Sequence, residues 1–445
     1  MLRENIYRII DFYETLKGNE SYYHIFSELK KIQKKGKDDI NKIMLSKINE
    51  VITNAYNNVE YYRTIFKEKG LTAKLSSLED LEKYPILTKY VIRENFPQKI
   101  VDHSRETRAH YNTTSGSTGE PLEFYNDSAV NPYTLSSFMY FNTIMGVDPM
   151  DVHWNLKSTG KYNYRQRFTY WLLGKHVYSV LDVRKENLRQ IKEQIDGIRP
   201  KYIEGYSASL EKLARLLSEE NIPIKTRPKV IIATSENLTE SGRALLETVF
   251  DSKVFIRYGS REFSGAVAQE CKLHEGLHVN PLLTYLEVVD ENGENVAPGE
   301  QGKVVITDLN NMVMPFIRYD IGDIATMSPE KCPCGIGFPT IGSIQGRTGE
   351  FIISKEDERI PFITISAYLF RRNFTPHVYT YQFVQREKGE IQLKVVPSSK
   401  YDDSVHSRIE ETLRQLLPGF KIELQVVDDI PPEKTGKTSF LKKLK

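Results

Sequence analysis

Residues 112–121 read NTTSGSTGEP, and every position from 113 to 119 is Thr, Ser or Gly. The stretch follows ETRAHY and precedes LEFY, which alternates like the start of a strand. Backbone N–H groups in such a loop can converge on an anion, and the hydroxyls add donors, so a phosphate is a reasonable occupant. Two familiar phosphate loops do not fit. A Walker loop needs G-x-x-x-x-G-K-[ST], and here Gly119 is followed by Glu120. A dinucleotide fingerprint needs G-x-G-x-x-G, and this loop has only Gly116 and Gly119. Taken alone, such a loop is more often a surface turn.

Working outward, strand and helix signatures alternate downstream. LRQIKEQIDGI reads as a helix, KYIEGY as extended and ASLEKLARLLSEEN as an amphipathic helix. KVIIATSE reads as a buried strand, ESGRALLETVF as a helix, and KVFIRYGS as a strand ending in a Gly turn. Apolar strands between helices point to an α/β domain on a largely parallel sheet. LTYLEVVD and GKVVITDL add a β-rich portion. Upstream, residues 1–70 repeat apolar positions at helical spacing, with a lysine-rich face that reads as solvated. In the last stretch, IQLKVV, SVHSRIEETLRQLL and KIELQVV make a compact α+β unit. The expected organisation is a large N-terminal domain at 1–345, a hinge at 346–350 and a small C-terminal domain at 351–445.

The chain's 445 residues exceed one ordinary core, in keeping with more than one domain. With 61 basic against 59 acidic residues the net charge is +2, which offers no footprint for nucleic acid. The start, MLRENIYRIIDFYETLKG, has charges every few residues and no apolar h-region, so a signal peptide is not expected. No window approaches ~18 apolar residues, so no membrane span is expected either. The three cysteines, Cys271, Cys332 and Cys334, are an odd count that disfavours a disulfide framework and suits the cytoplasm.

Further motifs follow the loop in order: ATSEN at 233–237, YGSREFSG at 258–265, RYDIGDIA at 318–325, GRTGEFI at 346–352 and EKTGKTSFLKK at 433–443. Together they resemble the acyl-adenylate-forming superfamily, the acyl-CoA synthetases and their relatives. YPILTKYVIRENF and the helical VITNAYNNVEYYRTIFKEKG carry the resemblance further, to the phenylacetate–CoA ligase branch. The resemblance implies carboxylate adenylation by ATP with Mg²⁺, followed by transfer to CoA. Negative charge accumulates on oxygen in that transition state, so N–H donors and fixed cations should dominate catalysis.

What the resemblance implies for single residues is specific. Thr114, Ser115, Gly116, Ser117, Thr118 and Gly119 would cradle the β- and γ-phosphates. Ser235 and Glu236 would lie on the adenine side, Tyr258 and Gly259 would pack on the base, and Asp323 would accept both ribose hydroxyls. Glu262 would anchor Mg²⁺, a hard cation suited to carboxylate oxygen. Arg347 would pair with ribose or phosphate, and Lys437 would bridge the carboxylate and the α-phosphate as a mobile point charge. Each has a plainer reading: DIGD is good turn chemistry, and Lys437 sits in a Lys-rich tail.

Thiolates and imidazole suit Zn²⁺, which takes four ligands in a tetrahedron, so Cys271, His278, Cys332 and Cys334 form a candidate closed structural site. His274 competes for the fourth place, and the C-x-C spacing is tighter than usual. Members of the resembling branch often carry a similar arrangement.

Two departures bear on the acceptor. The hinge reads Gly346, Arg347, Thr348, Gly349, Glu350 where the family has Gly-Arg-x-Asp-Asp, and SKEDERIPF replaces the Gly-rich segment of aryl-CoA ligases. That replacement resembles the capsule-biosynthesis subgroup, so adenylation is better supported than transfer to CoA. The competing acceptors are a sugar, an amine or a carrier thiol. A non-catalytic nucleotide-binding module is the alternative of another class. Tyr140 and Tyr206 are candidates to line the acid pocket, and a homodimer is a family-level expectation.

Overall fold

The computed structural model describes residues 2–114, 122–157, 164–235, 238–328, 332–347, 351–357, 359–366, 369, 374–431 and 438–443. The chain divides into two compact units, 1–150 with 257–344, and 151–256 with 345–445. Among the described residues no helix is long and apolar enough to cross a membrane.

The first unit opens with helices. In Tyr22–Ile32 the buried residues Tyr22, Ile25, Leu29 and Ile32 fall three or four apart, and Ser21 caps the helix by accepting from His24 N. Lys37–Asn58 buries Ile40, Met44, Ile48, Val51, Ile52 and Ala55 along one stripe, the spacing of an amphipathic helix. Thr88 caps the short helix Lys89–Asn95 through Val91 N. The unit's sheet runs in the order Thr284–Val289, Gln301–Asp308, Tyr319–Met327, Thr340–Arg347, Leu277–Val279, Gly265–Glu270 and the end of Lys253–Ser260. The registered pairs are antiparallel. Separately, Ala109–Thr113 pairs antiparallel with Glu123–Asp127.

The second unit begins as an open parallel sheet with the strand order Val230–Thr234, Tyr202–Tyr206, His153–Leu156, Lys175–Tyr178. One face buries Trp154, Leu156, Ile203, Ile231 and Ala233 against helices Leu188–Ile198, Ser207–Glu219 and Glu240–Phe250. The C-terminal portion is a four-stranded sheet in the order Lys421–Val426, Glu390–Pro397, Val378–Gln385, Leu441–Lys443. Its helix Asp403–Leu416 is capped by Asp402, which accepts from Val405 N, and buries Val405, Ile409 and Leu413 on the sheet. Within this unit Ser241 Oγ donates to Val378 O at 2.9 Å, and Asp429 pairs with Lys212 and Arg215. The expected mixed α/β architecture with a small α+β portion is what the chain adopts.

A buried acidic corner in the first unit has a measurable consequence. Asp308 Oδ1 accepts from Asn310 N at 2.8 Å and Asn311 N at 3.0 Å, while its Oδ2 and Asp127 Oδ2 are buried with no partner among the described residues. Burial pushes the Asp308 carboxyl up to about 6, against the two backbone donors. A folded value above the unfolded one means that this group's contribution is complete below pH ~4 and is lost as pH rises through about 6. Asp308→Asn keeps the accepting oxygen and removes the ionisation. Denaturant titrations should give a variant similar to wild type near pH 4 but more stable by ~3 kcal/mol near pH 8.

Candidate active site

Three segments of the first unit converge on one another, and hydrogen bonds fix how. Thr114 N donates to Leu122 O at 2.9 Å, and Leu122 N donates to Thr114 Oγ1 at 3.0 Å. The Thr114 hydroxyl therefore closes the base of the Gly/Ser/Thr loop. Ser115, Gly116, Ser117, Thr118 and Gly119 lie outside the described residues. The hairpin below the loop is tied to the turn that follows strand Lys253–Ser260. Arg261 Nη1 donates to Thr113 O at 3.0 Å, Asn126 Nδ2 donates to Arg261 O at 3.5 Å, and Asn126 also bonds Ser264 Oγ. Ser264 sits at φ +56°, a left-handed conformation that helps the chain turn sharply there.

That turn carries Glu262, which is 6% exposed and accepts from Tyr319 OH at 3.3 Å. Just before it, Tyr258 OH donates to Asp323 Oδ2 at 2.8 Å. Tyr319 and Asp323 lie on the neighbouring sequence motif, in strand Tyr319–Met327. Two tyrosines thus address two carboxylates, and the predicted Tyr258, Glu262 and Asp323 fall in one region of the unit. Gly259 has a structural reason as well: the ladder to Gly265–Glu270 slips between Tyr258 and Gly259. A Cβ at Gly259 would lie 1.8 Å from Gly265 O.

The cysteines gather with His278. The ligand atoms of Cys271, His278, Cys332 and Cys334 all lie within 4.8 Å of one another. Cys271 Sγ is 3.5 Å from Cys332 Sγ, and Cys334 Sγ is 3.3 Å from His278 Nε2. Burial, with the Cys332 and Cys271 thiols alongside, pushes the Cys334 thiol up to about 12. His274 turns instead to Glu270, with Nδ1 3.1 Å from its carboxylate. Soft sulfur and imidazole donors at this spacing suit a tetrahedral Zn²⁺.

The remaining expected positions are scattered. Tyr140, in helix Val130–Ile144, packs on Phe338 with centroids 5.0 Å apart and donates to Gln33 Oε1 at 2.8 Å. Tyr206 ends strand Tyr202–Tyr206 and packs against the apolar core of the second unit. Ser235 follows strand Val230–Thr234 at φ +71°. Glu236 and Lys437 lie outside the described residues, as does the Arg347 side chain. Sequence reading missed Arg261, Asn126 and Tyr319. An Arg and an Asn beside motifs carry no periodic signal, and Tyr319 reads as one more strand aromatic.

The fold is that of the adenylate-forming ligases. The solved 2-hydroxyisobutyryl-CoA ligase in its postadenylation state with R3-HIB-AMP superposes with a TM-score of 0.73 at 20% identity, covering 92% of this chain and 90% of that one. By sequence the chain is a homologue of phenylacetate–CoA ligases and of CapK. It is 26% identical to a phenylacetate-coenzyme A ligase of Thermus thermophilus, over 82% of this chain and 83% of that protein. It is 23% identical to Protein CapK of Staphylococcus aureus over 94% and 92%, and residues 352–443 match the CapK C-terminal domain family.

Since a side chain at position 259 collides with backbone rather than with a movable side chain, Gly259→Ala should force the two strands apart. A loss of roughly 2 kcal/mol or more is expected in chemical denaturation, whereas a variant as stable as wild type would contradict the tight crossing.

Proposed function

We propose that this protein is an AMP-forming acid–thiol ligase: it adenylates a carboxylic acid with ATP and passes the acyl group to CoA. The observation that carries the reading is the pairing of Tyr258 with Asp323 and of Tyr319 with Glu262, beside a hairpin base held by Arg261. A carboxylate is a poor electrophile because its leaving group would be oxide. Exchanging that for AMP lets a thiol attack. Of this chain's groups, Asp323 would accept the ribose hydroxyls, Tyr258 would pack on the base, and Ser235 and Glu236 would flank it. The 114–119 stretch would supply donors to the phosphates. Glu262, buried and held by a tyrosine, would ligate Mg²⁺, which supplies charge neutralisation on phosphate when bound. Arg347 and Lys437 would bring cations from the 346–445 portion, with 346–350 acting as the hinge. ATP and CoA as substrates put the reaction in the cytoplasm, and a homodimer is the assembly we assign.

The C-terminal match favours a second reading of the acceptor alone. A chain related to CapK through residues 352–443 could deliver the same adenylate to a non-CoA acceptor in polysaccharide assembly. Incubation with acid, ATP and CoA, followed by mass spectrometry, separates the two: a thioester selects CoA.

Acid-dependent exchange of labelled pyrophosphate into ATP tests the first step. Wild type should exchange, and Lys437→Ala should lose at least about 100-fold, the scale of removing one group that stabilises developing charge. No exchange across a broad acid panel would leave a nucleotide-binding module as the better description.

We read the Cys271, His278, Cys332 and Cys334 cluster as a closed, structural Zn²⁺ site with no position open for substrate. Metal analysis should find about one zinc per chain, and Cys334→Ser should lower both zinc content and thermal midpoint. A wild-type zinc content near zero would discard the assignment.

A further inference from the structure

The edge of the second unit's parallel sheet carries a helix that the core does not use. Strand Lys175–Tyr178 ends the sheet order, and helix Tyr164–Leu172 leads into it. The helix is closed by local bonds. Thr169 Oγ1 donates to Arg165 O, Leu173 N to Thr169 O and Gly174 N to Trp171 O, each at 3.0 Å. Gly174, at φ +71°, then takes the left-handed turn that ends it. None of its nine residues is buried. A surface helix normally turns its apolar stripe to the core; here the stripe faces out.

Tyr164 is 89% exposed, Phe168 60% and Trp171 59%. At 3.6 residues per turn the three fall within about 60° of one another, and the Phe168 and Trp171 rings stack with centroids 6.0 Å apart. Arg165 and Arg167, both exposed, lie on either side of this stripe. Neither forms an ion pair among the described residues. Residues 164–181 hold Arg165, Arg167 and Lys175 and no Asp or Glu, in a chain whose 61 basic and 59 acidic residues balance overall. The first helix, Leu2–Leu16, makes the contrast. It too exposes Ile9, Phe12, Tyr13 and Leu16, but Arg8 pairs with Glu4 and Lys17 with Glu14. That face offers apolar contact without a charge preference. Tyr164–Leu172 offers both.

A second copy of this chain is a poor occupant for the stripe. Three aromatics exposed to this degree would bury about 400 Å² per partner, half of what a stable interface needs. Such pairing would also set arginines against arginines, with no carboxylate in 164–181 to answer them. A lipid surface asks for less: an apolar stripe, and free cations at its margin for anionic headgroups. Tyrosine and tryptophan favour the depth where a bilayer meets water, and a guanidinium fork matches phosphate.

We propose that helix Tyr164–Leu172 docks this protein on an anionic phospholipid surface. Tyr164, Phe168 and Trp171 enter the boundary between headgroups and acyl chains, and Arg165 and Arg167 meet lipid phosphates. At nine residues the helix is roughly 14 Å long, far short of the ~30 Å hydrocarbon core, so it lies on the bilayer rather than crossing it.

Flotation of the full chain with vesicles tests this, using phosphatidylcholine alone or mixed equally with phosphatidylglycerol. Wild type should float with the anionic vesicles, and raised salt should weaken the binding. Of the two tryptophans, Trp154 is buried, so a blue shift in emission on vesicle addition reports Trp171. Tyr164→Ser with Phe168→Ser should lower the partition coefficient at least about tenfold. Arg165→Gln with Arg167→Gln should lose about as much on anionic vesicles and little on phosphatidylcholine. None of these residues takes part in the proposed adenylation, so pyrophosphate exchange in solution should be unchanged in both variants. Wild type that stays unbound to anionic vesicles at low salt overturns the proposal, as does equal binding by either variant. A wild-type dimer that Phe168→Ser splits, with no vesicle binding, overturns it in favour of a second copy.

Discussion

One buried guanidinium sets the geometry of the first unit. Arg318 is almost fully enclosed and grips the Glu287 carboxylate with two nitrogens, at 3.0 and 3.2 Å. Its remaining donors reach Glu82 O at 2.8 Å, Tyr84 O at 2.9 Å and Gly293 O at 2.6 Å. A planar fork of five donors is the side chain that can do this, and lysine could not. The chain on either side of Arg318 is fixed in turn, since Leu87 N donates to Arg318 O and Asp320 N to Leu87 O, both at 2.9 Å. Removing one partner from such a pair costs ~3–5 kcal/mol, because the other charge stays buried. The residues that follow, Tyr319 and Asp323, inherit their position from this anchor. The segment 85–89 thus acts as a strand partner, with Leu87 bridged in parallel to Tyr319.

A second layer of order links the hairpin of Ala109–Thr113 and Glu123–Asp127 to that anchor. Asn311 Nδ2 donates to Tyr125 O at 2.9 Å, and Asn311 Oδ1 accepts from Met314 N at 3.1 Å. Together with Arg261 and Asn126, this holds the hairpin from below and from the side. Under the proposed function the 114–119 stretch would offer donors to phosphate, and since Gly, Ser and Thr pack little, its order would come from these flanks. Glu262 is oriented by the same arrangement, since the Tyr319 hydroxyl donates to its carboxylate at 3.3 Å.

Much of this was legible in the sequence, and the limits have physical causes. Helical spacing in Tyr22–Ile32 and Lys37–Asn58, and apolar strands such as Val230–Thr234, announce themselves because burial is periodic. Tyr258, Glu262 and Asp323 were named from motif order, and the four candidate zinc ligands from residue type. The bracing residues were not, because a hydrogen bond between Arg261 and Thr113, 148 positions apart, leaves no local pattern. Tyr140, named for the acid pocket, is seated on Phe338 with its hydroxyl on Gln33, contacts that its sequence neighbourhood does not announce.

The cysteine–histidine cluster belongs to the same chain of dependence. Its 332–338 loop lies directly on the opening helices: Gly337 N donates to Gln33 O at 2.7 Å, and a Cβ at Gly337 would stand 2.3 Å from Lys35 O. Only glycine allows so close an approach. Those helices continue through Asn54, which donates to Met312 O at 3.0 Å, and Tyr62, which bonds Pro315 O at 2.6 Å, to the segment that delivers Arg318. The cluster sets the Cys334 thiol, whose ionisation burial opposes, beside Cys271 and Cys332, and His278 Nδ1 is buried with no partner among the described residues. A divalent ion would turn these liabilities into bonds joining Cys271, strand Leu277–Val279 and the 332–338 loop. Such an ion needs no contact with substrate to matter. By fixing the loop on the helices it would hold the floor against which Arg318, and through it Tyr319 and Asp323, are set.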